Sequence, residues 1–325
     1  MLPTPTEPAR PTLVVVAVVV TVLAWASAFV VIRAVGDSLS PGALTLGRLA
    51  VGALALTVMS AVPRLGGGHR LAALRGLSRH DLLLLLLIGV AWFGVYNVAL
   101  NAGERHVDAG TAAMIIQIGP VLIAAVAGIV LREGFPAPLV VGLVVAFAGT
   151  LLIGVATSTA PATERPAGGS PGLGVLLVLV SALAYTVAMV AQKVVLRSMN
   201  GLLVTWAACS VGAVVCLPFA GQLVEELRIA PPSVWWAVLY LGVVPTAIAF
   251  STWAYALSRT SAGRLGVTTY AVPPVAIVLG WLLLGEVPLP LAVVGGVVSL
   301  LGVALSRRRG ARAAGVAQPV SGSST

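Results

Sequence analysis

Runs of about twenty apolar residues alternate along the chain with short breaks that are polar or contain Pro or Gly. A bilayer core roughly 30 Å thick is crossed by about 20 apolar residues in a helix rising 1.5 Å each. The pattern therefore predicts helices over residues 13–32, 43–62, 82–101, 109–131 and 138–156, then 172–192, 202–220, 233–254, 262–284 and 289–305. The longest connection, 157–171, is rich in Pro, Ala, Gly, Ser and Thr and falls near the middle, as a linker between two five-helix halves would. The halves are expected to span 13–156 and 172–306, with residues 307–325 expected as a basic and then disordered tail. The first apolar run follows Arg10 and contains Ala24-Trp25-Ala26, a signal-peptide-like site. Its length and the spans after it favour a retained helix.

The two halves share a register. Pro120 and Glu133 are spaced as Pro273 and Glu286 are, and Gly142, Gly149 and Ala109 correspond to Gly295, Gly302 and Ala262 at the same offset of 153. A five-helix half is odd, so the second half crosses the membrane in the opposite sense. The expected fold is an all-α integral membrane protein, with ten transmembrane helices arranged as two inverted five-helix repeats. Such repeats recur in secondary transporters, which expose a midplane site alternately to either side.

Composition agrees with a lipid solvent: 59% of residues are apolar and 9% charged, against about 25% charged in soluble domains. The net charge of +9 does not mark a nucleic-acid binder, because the basic residues lie between apolar runs and at the C-terminal end. With both termini cytoplasmic, the inner loops carry fourteen of them and the outer loops four: Arg33, Arg105, Arg165 and Arg228. Arg48, the nineteenth, lies inside a helix. That bias follows the positive-inside rule. Cys209 and Cys216, seven apart on one helix, are about 10 Å apart along its axis and cannot bridge each other. The single lysine, Lys193, belongs to no phosphate-binding Gly-Lys-Ser/Thr loop, and His69, His80 and His106 lie in separate loops. Neither a metal site nor another cofactor is expected, and a gradient or an exchanged solute must drive any transport.

Polar side chains inside a bilayer are costly unless they face protein or water, so they are default site candidates. Asn97 and Asn101 share a face of the third helix, and Gln117 lies within the fourth. Tyr185 and Gln192 share a face of the sixth, as Thr246 and Trp253 do of the eighth. Trp25, Tyr96 and Tyr270 add rings that line a cavity or bind a cation over their faces. For Asn97, Asn101 and Gln117, interhelical hydrogen bonding is an equal alternative. Arg48 either snorkels or pairs with Asp37, or else grips a substrate carboxylate. Glu133 and Glu286 either accept backbone N–H groups or couple protons. Pro120 and the pair Pro273-Pro274 kink their helices.

Several of these residues carry a resemblance. Ala24-Trp25-Ala26-Ser27-Ala28-Phe29 resembles a Trp-Gly-Ser/Thr-x-Phe opening of the first helix. With Arg48, the Ala, Pro and Glu pattern of each half, and the run from Thr246 to Leu257, it makes residues 13–306 similar to the EamA family of the drug/metabolite transporter superfamily. The sequence departs from that pattern at Ala26 and at Arg132-Glu133, whereas Gly285-Glu286 keeps it. The resemblance implies cytoplasmic termini, a multi-pass place in a bacterial inner membrane, and export or exchange of amino acids or related metabolites rather than drugs. Its partners would be a small-molecule substrate and the lipid bilayer. Homo-oligomerisation is left open. An enzyme acting on lipid intermediates would need acidic or nucleophilic groups clustered at an interface, and none is found. A scaffold would need no polar cavity.

Overall fold

The computed structural model describes residues 11–61, 77–119, 122, 137–159, 170–259, 265 and 268–306. Among the described residues every regular element is helical. In chain order these are α1 (Pro11–Val35), α2 (Pro41–Ala61), α3 (Arg79–Gly103), α4 (Ala109–Ile116), α5 (Ala137–Thr159), α6 (Pro171–Val195), α7 (Gly201–Val215), α8 (Ala220–Ile229), α9 (Pro232–Arg259), α10 (Val272–Leu284) and α11 (Pro290–Ser306).

Five of them, α1, α2, α3, α6 and α9, are long and apolar enough to cross a membrane. The seventh predicted helix, 202–220, is corrected by the structure. It ends at Val215, passes through a 3-10 turn at Leu217–Phe219 and resumes as α8 after a bend of 52°. Pro218 supplies the reason, because it has no N–H to continue the ladder and its ring crowds the preceding turn. Counted as one broken span, α7 and α8 make a sixth crossing. Shorter apolar helices lie within α5, α10 and α11. The fourth predicted helix is described only over α4, the turn at Gln117 and Ile118, and a few residues beyond; Pro120 and Glu133 lie outside the described residues.

Short polar signals start and stop these helices. Asp108 caps α4 by accepting from the Thr111 backbone N–H at 2.8 Å, and Asn200 caps α7 by accepting from Leu202. Gly285 ends α10 with φ 69°, the left-handed conformation a Cβ disfavours. Gly285→Ala should cost about 1 kcal/mol, seen as a lower unfolding temperature of the detergent-solubilised protein.

Large apolar side chains such as Leu54, Val58, Leu83, Leu151 and Leu282 are exposed on the outside of the bundle. A surface so rich in apolar groups suits hydrocarbon and not water. Trp235 and Trp236, also exposed near the start of α9, occupy positions where indoles favour a membrane interface.

Glycines bring the helices together in matched pairs. A Cβ on Gly149 would stand 2.4 Å from the Ser299 backbone nitrogen and 2.5 Å from the Gly295 carbonyl oxygen. One on Gly302 would stand 2.3 Å from the Ala146 nitrogen and 2.7 Å from the Gly142 oxygen. The contact of α5 with α11 is thus reciprocal in the 153-residue register. A second matched pair keeps that register on one side of the contact alone: Gly52 of α2 faces the Gly242 oxygen and Thr246 of α9, while Gly212 of α7 faces the Gly89 oxygen and Phe93 of α3, with Gly89 and Phe93 each 153 positions before Gly242 and Thr246. Gly89 and Gly242 also open the two π-helical segments, Gly89–Tyr96 within α3 and Gly242–Ile248 within α9.

Candidate substrate cavity

The two π segments set up the centre of the molecule. A π turn leaves carbonyls without their usual partners and turns the following side chains to a new azimuth. In α3, Asn97 Nδ2 takes up two of those carbonyls, Trp92 and Phe93, each at 3.0 Å. In α9, Pro245 lacks a backbone N–H and Thr246 Oγ1 donates to the Leu241 carbonyl at 2.8 Å. Asn97 and Thr246 therefore each return a side-chain bond to the residue five positions earlier.

Beside the α3 segment, and reaching Phe250 just after the α9 segment, lies a cavity of about 60 Å³ open to the centre of a water molecule. A single water needs roughly 10–15 Å³ on that measure, so the space suits a handful of waters or a small side chain. Trp25 and Phe29 of α1, Arg48 of α2, Trp92 and Tyr96 of α3, Gln117 after α4, Tyr185 of α6 and Phe250 of α9 form most of its wall. The rings make one connected group. Trp92 stands edge-on to Phe250 at 4.9 Å and to Tyr185 at 5.3 Å, and Trp25 lies 5.5 Å from Phe250. Such rings present their negative faces and apolar area together, which suits an ammonium on an organic skeleton.

Arg48 is the one cation of the wall. It is buried and does not pair with Asp37, which is exposed. Its Nε and Nη2 both donate to Thr246 Oγ1, at 3.3 and 3.1 Å. Since that hydroxyl already donates to Leu241, it can only accept from the guanidinium, and the bond fixes Arg48 across the α2–α9 contact. Among the described residues no carboxylate stands within ion-pair distance of Arg48; the ion pair found there is Arg33–Glu286. A buried guanidinium without a counter-charge, facing a cavity, presents a two-pronged donor to whatever anion arrives.

The other residues singled out from sequence occupy varied places. Asn101 Nδ2 donates to Thr45 Oγ1 at 2.9 Å, tying α3 to α2 away from the cavity. Gln192 is buried on α6, outside the wall, with Oε1 lacking a hydrogen-bond partner. Trp253 backs the wall by packing on Trp25 at 5.0 Å. Pro273 is buried in the first turn of α10, where its missing N–H costs nothing. Glu286 accepts from the Ala109 backbone N–H at 3.4 Å and binds Arg33, so it caps α4 across the bundle rather than the helix after it. The Tyr270 side chain lies outside the described residues.

Trp92 belongs to the wall although nothing singled it out beforehand, and Phe29 and Phe250 entered only as members of the family-like runs 24–29 and 246–257 and not as site candidates. They sit inside uninterrupted apolar runs, and the glycine preceding Trp92 by three positions is the sole local sign of the π turn that aims it inward. Glu104 was missed too. It follows α3 directly, is buried, and among the described residues neither carboxylate oxygen has a hydrogen-bond partner.

Comparison with known proteins places these features in a family. The chain is 37% identical over 293 residues to the "Probable terminal-alkyne amino-acid exporter" of Streptantibioticus cattleyicolor, covering 90% of this chain and 93% of the other. It is 29% identical to the uncharacterized transporter YdfC of Bacillus subtilis, over 86% of each chain. A solved crystal structure with 19% identity shares the fold, with a TM-score of 0.61 over 94% of this chain and 99% of that one. The EamA-like transporter family matches residues 12–155 and 172–308, once in each half. With relatives that are transporters, a helical bundle of apolar spans and a buried central cavity, this chain belongs to the EamA-like transporter family.

Proposed function

We propose that this protein is a secondary transporter that exports or exchanges amino acids or related small metabolites by alternating access. Ten transmembrane helices in two inverted five-helix repeats would carry it, spanning 13–156 and 172–306 and joined by the linker 157–171. The reciprocal glycine contacts at a constant offset of 153 support the repeat. The bias of basic residues supports an orientation with both termini cytoplasmic, and family likeness supports a bacterial inner membrane location.

The observation that carries the cargo class is Arg48. Its guanidinium faces the cavity without a carboxylate partner, opposite rings suited to an ammonium. An α-amino acid offers both charges on one small body, and the cavity volume suits a modest side chain better than a drug. The relative described as exporting terminal-alkyne amino acids supports the same class. Trp25, Arg48, Tyr96, Gln117 and Tyr185 are the proposed substrate contacts, with Thr246 holding Arg48 in place.

Full-length protein reconstituted in liposomes tests this reading. Vesicles preloaded with unlabelled leucine should take up labelled leucine by counterflow, and propargylglycine should compete. Counterflow blocked by organic cations or sugars but untouched by amino acids would sink the cargo class.

A further inference from the structure

One stripe on α3 runs out of the cavity. Tyr96 and Leu100 line the wall, and Glu104 follows at the next helical interval of four, on the same face. Call the side on which α1 begins the N-side, and the other the far side. The stripe leads to the far side, where Arg33 near the end of α1 binds Glu286 after α10 through Nε and Oε1 at 2.8 Å. Glu286 Oε2 accepts from the first backbone N–H of α4. These contacts draw α1, α10 and α4 together at the far side. Glu104 lies just inside that closure, 1% exposed, with both oxygens unpartnered among the described residues.

An ionised carboxylate would not persist there, since it would lack both water and a bonded donor. Burial holds the Glu104 carboxyl well above the usual carboxylate range. Glu286 and Asp108 push it the same way, while Arg33 and Arg48 oppose. Among the described residues, these groups and Tyr96 are the charged and titratable neighbours that face it, with Arg105 and His106 next to it on its own turn.

We propose that Glu104 is the proton-binding site of the transport cycle, occupied while the Arg33–Glu286 bridge is shut and emptied to water when that bridge opens. Opening separates α1 from α10, admits water to Glu104 and frees the Arg33 guanidinium. The proton leaves to water as hydronium, and Arg33 then turns to the new carboxylate. Closure returns Arg33 to Glu286 and requires Glu104 to take a proton back. Far-side closure and proton occupancy are thereby one event. This deepens the transporter reading and rests on it for the word cycle alone.

Infrared spectroscopy of the full-length protein in liposomes tests the site without any cargo. A protonated-carboxyl band should be present at neutral pH and absent in Glu104→Gln. Glu286→Gln, which removes the adjacent negative charge and releases Arg33, should lower the midpoint of that band. A band unchanged in Glu104→Gln, or a midpoint unmoved in Glu286→Gln, overturns the proposal. Labelled-leucine flux supplies the second arm. A pH gradient should stimulate it in the wild type and not in Glu104→Gln, and equal stimulation in both also overturns the proposal. No leucine flux in the wild type defeats the amino-acid reading instead, and the infrared titration then decides the proton site by itself.

Discussion

Replacing Arg48 with glutamine is expected to reduce counterflow of a labelled amino acid by about 10²-fold, the equivalent of roughly 3 kcal/mol of lost charge-assisted binding. The size follows from position. Arg48 is buried in the wall, its Nε and Nη2 are held by Thr246, and no described carboxylate neutralises it, so an incoming carboxylate meets a desolvated and oriented donor. Glutamine keeps a polar side chain but loses the charge and the fork. Arg48→Lys should recover only part of the activity, because an ammonium cannot span Thr246 and a carboxylate with the same planar geometry. Thr246→Val should act in the same direction but less strongly, since it loosens the arginine without removing it. An intact rate for an amino acid in Arg48→Gln would remove the carboxylate contact, leaving Arg48 as a tie between α2 and α9. Loss of amino-acid flux with retained flux of an uncharged analogue would be the clearest support.

The second large effect is structural. Gly149→Leu should prevent stable packing of α5 on α11 and is expected to destabilise the folded protein by about 3 kcal/mol or more. Even the first added carbon would lie 2.4 Å from a backbone nitrogen of the facing helix, and backbone cannot step aside as a side chain can. The helices would have to separate along their contact, losing the close approach that drives helix association in lipid. Gly302→Leu should behave the same way, because it occupies the reciprocal place. Gly221→Ala in α8 is the contrast, as nothing lies within 4 Å of its added carbon. It should be neutral or gain up to about 1 kcal/mol from helix propensity. Thermal unfolding in detergent, followed by retention of a monodisperse elution peak, would rank the three. Similar behaviour of Gly149→Leu and Gly221→Ala would contradict the packing described for α5 and α11.

Much of this molecule was legible in one dimension, for identifiable reasons. The apolar runs required helices because a backbone inside hydrocarbon must satisfy its hydrogen bonds internally. Gly142, Gly149, Gly295 and Gly302 repeated at 153 because each half needs the same close contact, which the structure shows as reciprocal. Arg48 stood out because a lone arginine in an apolar helix is expensive to keep. Trp25, Tyr96, Gln117 and Tyr185 were selected for polarity or ring chemistry, and the structure places them in one wall. Asn97 was selected by the same logic, yet its amide is occupied with carbonyls opened by the π segment. Nothing in a 3.6-residue periodicity announces a π turn, since it shifts the azimuth of every side chain after it.

The sequence by itself determined that the chain is a bundle of membrane-crossing helices, that its halves share a register and that few charges lie inside. These are properties of runs, offsets and residue types, which depend on solvent and local chemistry alone. Only the tertiary structure decided which polar groups meet. It set Arg48 on Thr246 across 198 positions and Arg33 on Glu286 across 253, and it left Glu104 buried without a partner. Such contacts depend on azimuth and depth accumulated over several helices, and a single π turn or a Pro218 bend changes both. That is why Arg48 was conspicuous from the start while Glu104, at the edge of a predicted helix, became visible only when the helices closed around it.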